Sequence, residues 1–124
     1  MNITNQEDSE QQPITIKIKP LSVNLAWRGQ RFKTPLYGQY ESAVLFMLPK
    51  IPNFPLPPYR IEYEFGFSNM ASDFDNPVKL VTDILQKKYG FNDKDIMEAH
   101  IKKVIVPKKS EYFKFKIVSI KAQK

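Results

Sequence analysis

Apolar and polar residues alternate over Ile14-Thr15-Ile16-Lys17-Ile18, the period of a strand with one buried face, and Pro20 ends the run. The same period recurs most clearly from Tyr59 to Phe67. There Tyr59, Ile61, Tyr63, Phe65 and Phe67 share one side and Arg60, Glu62 and Glu64 the other. Tyr112 to Ile120 repeats it, with Phe113, Phe115 and Ile117 set against Lys114 and Lys116. Ile101 to Val106, stopped by Pro107, reads as a further strand, and Lys108-Lys109-Ser110 as the turn between the two. Helical spacing appears twice. Thr34-Pro35 opens a helix as cap and first-turn proline, with Leu36, Tyr40, Ala43, Val44, Met47 and Leu48 as its buried stripe. Tyr37, Leu45 and Phe46 make its other side apolar too. This predicts a helix buried on two sides, either in a subunit interface or inside the monomer.

The second helix opens at Asn76-Pro77 by the same logic, and Gly90 supplies its left-handed stop. Val78, Val81, Leu85 and Lys88 mark one side with Ile84 and Tyr89 beside it, while Lys79, Asp83 and Gln86 lie on a more polar side. The order β, loop, α, β, α, β, β predicts an α+β (mixed α/β) domain, one mixed sheet packed by two helices. Pro49 to Pro58 holds five of the ten prolines and reads as a stiff connection, with a proline-ligand role as the sharper alternative. Residues 1–12 are polar with too little apolar surface to bury, a predicted disordered tail, so residues 13–124 form the single domain.

Charge changes the picture. The chain carries 19 Lys and Arg, all after residue 12, against 13 Asp and Glu. Glu7, Asp8 and Glu10 fall in the tail, so the remaining 10 acids leave the body at +9. Such a surface favours a polyanion, nucleic acid above all, although many basic proteins gain only solubility from it. No apolar run of about 18 residues and no signal peptide is present, so the expected setting is soluble and cytoplasmic. The absence of cysteine removes disulfides, thiolate zinc sites and thiol nucleophiles. His100 is the single histidine and is expected to be structural or at the surface.

Against this basic background, five of the thirteen acids sit between Ser72 and Ile96. Asp73 and Asp75 are two apart, so in an extended segment they project to one side and repel unless a cation lies between them. Hard oxygen ligands of this kind suit Mg²⁺ or Mn²⁺. A helix of about thirteen residues is roughly 20 Å long, so the second acidic cluster, Asp93 and Asp95, rejoins the pair only if a returning strand carries it back. From Leu21 to Lys33 the cations Arg28, Arg31 and Lys33 interleave with Trp27 and Phe32 around Gly29. A loop or tight hairpin that grips phosphates and stacks on bases has this composition, and so does a solvated loop with its two rings in the core.

The run Asp73-Phe74-Asp75-Asn76, followed by Lys79, Asp83 and Asp93, resembles the RusA-like Holliday junction resolvases. Their signature is Asp-x-Asp-Asn before a helix, a lysine four residues on, and acids beyond the helix followed by a hydrophobic residue. Asn24, Arg28, Arg31, Lys33-Thr34 and Tyr40 are similar to that family's basic loop and first helix, so the resemblance spans Ile14 to about Val106. Here the acids after the helix alternate, and Asp93 is chosen over Asp95 because Ile96 matches the hydrophobic position. Ser72 stands where the family often has a basic residue. The resemblance implies a homodimeric, Mg²⁺-dependent endonuclease of bacterial or prophage setting that cuts four-way DNA junctions by paired nicks. Asp73, Asp75 and Asp93 would be its metal ligands and Lys79 a further catalytic residue, supported by Asn76, Asp83 and Asp95. Arg28, Arg31, Lys33, Asn24 and Trp27 would hold DNA. Two other readings stay open: a basic DNA-binding module without catalysis, with Asp73 and Asn76 as turn and cap residues, and a protein-interaction adaptor built on the proline segment and the two-faced helix.

Overall fold

The computed structural model of the chain describes residues 12–21, 27–28, 32–71 and 77–120. Strands β1 (Ile14–Ile16), β4 (Tyr59–Phe67), β5 (Ile96–Ile105) and β6 (Tyr112–Ser119) form one sheet in the order β1-β6-β4-β5. β4 and β5 run parallel, and the other two pairings are antiparallel. β2 (Trp27–Arg28) and β3 (Phe32–Lys33) make a separate two-stranded ribbon. Among the described residues two helices, α1 (Pro35–Met47) and α2 (Val78–Tyr89), complete the α+β fold. Among the described residues no helix is long and apolar enough to cross a membrane.

Cross-strand register builds the core. Ile61, Tyr63 and Phe65 of β4 lie opposite Ile117, Phe115 and Phe113 of β6, and Ile14 and Ile16 of β1 extend the row. Phe65, Phe113 and Phe115 are essentially inaccessible. Each buried ring of this kind contributes on the order of 1.5–3 kcal/mol relative to exposure. Leu80, Val81, Ile84 and Leu85 of α2 and Tyr37, Tyr40 and Val44 of α1 cover that row. One polar link fixes the register of α2 on the sheet. Thr82 Oγ1 donates to Val78 O at 2.7 Å, which spends its single proton, so the Tyr63 hydroxyl donates to Thr82 Oγ1 at 2.6 Å. Burial pushes the Tyr63 hydroxyl well above the ordinary phenol range.

Several boundaries differ from the sequence pattern. β1 stops at Ile16 rather than Ile18, because the chain turns there, with Ile18 N–H on Ile16 O at 3.0 Å. β5 begins at Ile96, five residues before the predicted start. It is an edge strand paired only with β4, so charged residues are tolerated along it and the alternation is hidden. The buried stripe of α1 is Tyr37, Tyr40, Val44 and Leu48, whereas Leu36 and Met47 are exposed and Phe46 is 92% exposed. The helix is therefore buried on one side of the monomer, rotated from the predicted stripe. On α2, Leu80 and Ile84 join Val81 and Leu85 in the core and Lys88 is exposed.

The directions of these elements define two ends. β1, β4 and β5 all finish where β6 begins. α2 crosses back between the parallel strands, so its first turn is at the same end. α1 runs alongside in the same direction: Glu41 pairs with Lys87 at 2.7 Å, and the Tyr89 hydroxyl donates to Pro49 O at 2.5 Å beyond the helix end. Both helices thus begin at the end where three strands finish, and β3 runs into α1 there with only Thr34 between them.

Candidate functional site

α1 starts as the sequence predicts: Thr34 is its N-cap, with Oγ1 accepting from Tyr37 N–H at 3.3 Å, and Pro35 follows. α2 starts one residue later than predicted, with Pro77 rather than Asn76 at the cap position and no side-chain cap bond. Gly90 ends it with φ 76°, as a left-handed stop requires.

Lys79, in the first turn of α2, places Nζ 3.6 Å from Asp83 Oδ2, the predicted i, i+4 pair. Gln86 extends this line. Its Nε2 donates to Asp83 Oδ1 at 3.5 Å and to Thr82 O at 3.4 Å, while its Oε1 accepts the backbone N–H of Asp93 at 2.9 Å. Positions i, i+4 and i+7 share one helix face, so Lys79, Asp83, Gln86 and the Asp93 backbone form one connected polar line about 10 Å long along the helix. The Asp83 carboxylate also acts on the core beside it. Burial first, then Glu41 and Asp83, push the Tyr37 hydroxyl up to about 12.

The returning strand does not carry Asp93 back as expected. Asp93 to Asp95 form a 3-10 turn that precedes β5, capped by Asn92 Oδ1, which accepts Lys94 N–H at 2.9 Å. What β5 delivers to the strand-finishing end is Lys103 and Ile105. Asp93 stays beside the last turns of α2, and Pro77 to Gln86 is nine residues, about 14 Å of helix rise. Asp95 differs from Asp93 in its surroundings: its charge adds to burial in raising the Tyr59 hydroxyl. His100 is exposed on β5, its Nε2 3.8 Å from Glu98 Oε1.

Asp73, Asp75 and Asn76 lie outside the described residues, as do Asn24 and Arg31 and the side chains of Trp27, Arg28 and Lys33. Of the two forms the sequence allows, a loop or a tight hairpin, the described backbone shows strand pairing, with Trp27 opposite Lys33 and Arg28 opposite Phe32. The flanks of the aspartate segment are described. Beyond β4, Ala71 N–H bonds Asn69 Oδ1 at 2.8 Å, and Lys103 Nζ donates to Met70 O at 2.7 Å while lying 5.7 Å from the centre of the Phe67 ring. Pro77, the other flank, is fully buried. Both described flanks therefore lie at the end where α1 begins and β3 leads in.

Three participants were not legible as such in the sequence. Gln86 stood only as a polar position, though its i+7 spacing from Lys79 was a usable signal. Ser68 and Glu111 are joined at 2.6 Å across 43 residues, which no local pattern reveals, and that bond first of all holds the Glu111 carboxyl below its usual range. Among the described residues no group of three or more His, Asp or Glu side chains gathers to hold a metal ion. Carboxylates are the donors on offer, with no thiolate anywhere, and hard oxygen donors fit Mg²⁺ or Mn²⁺. No protein-family model and no curated protein sequence matches the chain.

Proposed function

We propose that the chain is a Mg²⁺-dependent endodeoxyribonuclease that resolves four-way DNA junctions by paired nicks, acting as a homodimer. The observation that carries this reading is the line from Lys79 through Asp83 and Gln86 to the Asp93 backbone. It starts two residues after Pro77, the described flank of the Asp73-Phe74-Asp75 segment, and sets Lys79 and Asp83 of the signature on one helix face.

Asp73 and Asp75 would hold the ion, a pair being what Mg²⁺ commonly takes from protein before waters and phosphate oxygens fill its shell. Asp93, held by its backbone at Gln86 about 14 Å of helix rise from Pro77, stands apart from the start of the helix and is left out of the ion's ligand pair. When bound, the ion supplies an activated water and charge neutralisation at the phosphate. Lys79 offsets charge that develops on the phosphorus oxygens. Asp83 positions Lys79 by the i, i+4 pair, and Gln86 holds Asp83. Arg28, Arg31 and Lys33 of the basic ribbon, with Asn24 and Trp27, would grip the DNA arms mainly through phosphates, which selects shape over sequence.

Paired nicks in a nearly two-fold symmetric junction call for two sites related by a two-fold axis. Leu36, Phe46 and Met47, exposed within roughly a 100° arc of α1, offer apolar surface for the second copy. The same surface is what a protein-interaction adaptor would use, and the +9 body alone would suit a DNA-binding module without catalysis. A synthetic four-way junction and a linear duplex of equal length, incubated with Mg²⁺, Mn²⁺ or EDTA, separate the three. The resolvase reading expects metal-dependent, symmetric nicks in the junction only. Binding without cutting under either metal would leave the binding module, and neither cutting nor binding would leave the adaptor.

A further inference from the structure

The sheet face away from the helices carries two depressions of different electrostatic character. The first, about 250 Å³, is walled by Glu62 and Glu64 together with Lys102, Lys114 and Lys116. Its charges alternate in register. Glu62 lies between Lys116 and His100, and Glu64 between Lys114 and Lys102. Glu64 accepts from the Tyr112 hydroxyl and sits 3.6 Å from Lys114 Nζ. That face is close to charge-balanced.

The second depression, about 410 Å³, lies between the exit of β1 and the turn from β5 to β6, and it is walled by Lys17, Lys19, Lys109, Lys114, Glu111 and Tyr112 among others. With Lys114 paired to Glu64, three lysines face one carboxylate. That carboxylate, Glu111, accepts from the Ser68 hydroxyl at 2.6 Å and feels the Lys19 charge. None of the ion pairs among the described residues involves Lys17, Lys19 or Lys109. Lys109 is held at φ 72°, a left-handed conformation that costs a long side chain free energy and that glycine adopts freely, in a turn closed by Ser110 N–H on Pro107 O at 3.0 Å. A cation kept there at that cost, beside a balanced surface, marks the cationic excess as local, unlike a general solubility charge.

We propose that this cleft is a phosphate-backbone site for nucleic acid, with Lys17, Lys19 and Lys109 as its contacts. The proposal rests on the DNA reading above for its ligand class. Its position supports a continuous path: Ser68, bonded to the cleft wall, is the first residue after β4 and lies four residues before the aspartate segment. A strand seated in the cleft lies at the end of the sheet where that segment is anchored.

The test uses the full chain in EDTA, so that binding is read without cleavage. Anisotropy of a labelled four-way junction is measured between about 50 and 200 mM salt for wild type, Lys17→Glu/Lys19→Glu and a charge-matched control, Lys50→Glu/Lys88→Glu, whose positions are exposed at the opposite end of the molecule. The cleft variant is expected to bind at least 10-fold more weakly, with a salt slope shallower by about two, one unit per lost phosphate contact. The control is expected to stay within about 3-fold of wild type. Lys109→Gly guards against a folding artefact: it is expected to raise the melting temperature by a few degrees and still weaken binding. Equal weakening by the two charge-matched pairs, unchanged affinity of the cleft variant, or binding of wild type to phosphatidylserine vesicles but not to DNA would each overturn the proposal. Wild-type binding without cleavage in Mg²⁺ would sink the nuclease reading alone. Cleavage by wild type with unaltered binding of the cleft variant would sink the cleft alone.

Discussion

The two ends of this molecule are built on opposite principles. Where α1 and α2 finish, the rings of Phe54, Tyr59, Tyr89 and Phe91 close on each other. Phe54 stacks on Tyr89 at 5.5 Å and on Phe91 at 5.6 Å, and Tyr59 meets Phe54 and Phe91 edge-on. Where the helices start, Phe67 and Phe113 pack on Phe65 beneath the surface, and the surface contacts are polar: Lys79 with Asp83, Lys103 with Met70 O, and Ser68 with Glu111. Aromatic pairs of this kind stabilise by about 0.5–1.5 kcal/mol each beyond their buried area, whereas exposed ion pairs contribute about 0–1 kcal/mol. A surface ring cluster thus closes one end while exposed polar pairs line the other, so substitutions in the two sets should affect different measurements.

Phe54→Ala should break the closed end most strongly. Three ring contacts disappear from a half-buried position, and a loss of about 2–4 kcal/mol is expected in urea denaturation, somewhat below the usual range for a fully buried phenylalanine. Cleavage by the fraction that remains folded should be unchanged. A loss under 1 kcal/mol would mean that the ring cluster does not close this end.

The cap of α1 tests the open end for stability. Thr34→Ala removes the Oγ1 bond to Tyr37 N–H and should cost about 1 kcal/mol. Alkaline pH probes both ends together. Burial, with Glu41 and Asp83 adding to it, raises the Tyr37 hydroxyl to about 12, and burial raises Tyr89 to about 12, from an ordinary 10.0. A folded-state pKa above the unfolded value means that this contribution is whole below about pH 10 and lost as pH climbs from 10 to 12. Urea midpoints should be flat from pH 7 to 9 and fall beyond 10. Tyr89→Phe should flatten that fall, and an unchanged alkaline limb in this variant would contradict the assignment.

The smallest effect on stability sharpens the contrast most. Lys79→Met breaks only an exposed 3.6 Å pair, so less than about 0.5 kcal/mol should be lost. Junction cleavage should nevertheless fall at least 10-fold, about 1.4 kcal/mol of transition-state stabilisation. A variant that loses stability and activity in parallel would place Lys79 among structural residues.

How much of this was legible from the sequence depends on how strongly each pattern was constrained. β4 was read to its end residues because five apolar side chains alternate with polar ones, and a slip of one residue would bury Glu62 and Glu64. For α1 the helical spacing is plain in the sequence and its phase is not. Apolar side chains surround it, so only packing against sheet and α2 chooses Tyr37 over Leu36. The start of β5 was missed because a charged edge strand carries little periodicity. At the candidate site the Lys79–Asp83 pair followed from helical spacing alone. The place of Asp93 did not, because it depends on where the 3-10 turn hands over to β5, and the Ser68–Glu111 bond is set by sheet register between distant strands. The composition of the basic stretch leaves a loop and a tight hairpin both open, and the pairing of Trp27 with Lys33 and Arg28 with Phe32 depends on backbone contacts that composition does not encode.

The resolvase proposal assigns metal-dependent phosphodiester cleavage to residues 72–76. The most direct measurement is the rate of four-way junction cleavage in Mg²⁺ by wild type and Asp75→Asn, with melting temperatures recorded for both. The account predicts a fall of more than about 100-fold, roughly 2.7 kcal/mol of transition-state stabilisation, at an unchanged melting temperature. Cleavage that persists in Asp75→Asn within a few-fold of wild type would contradict it.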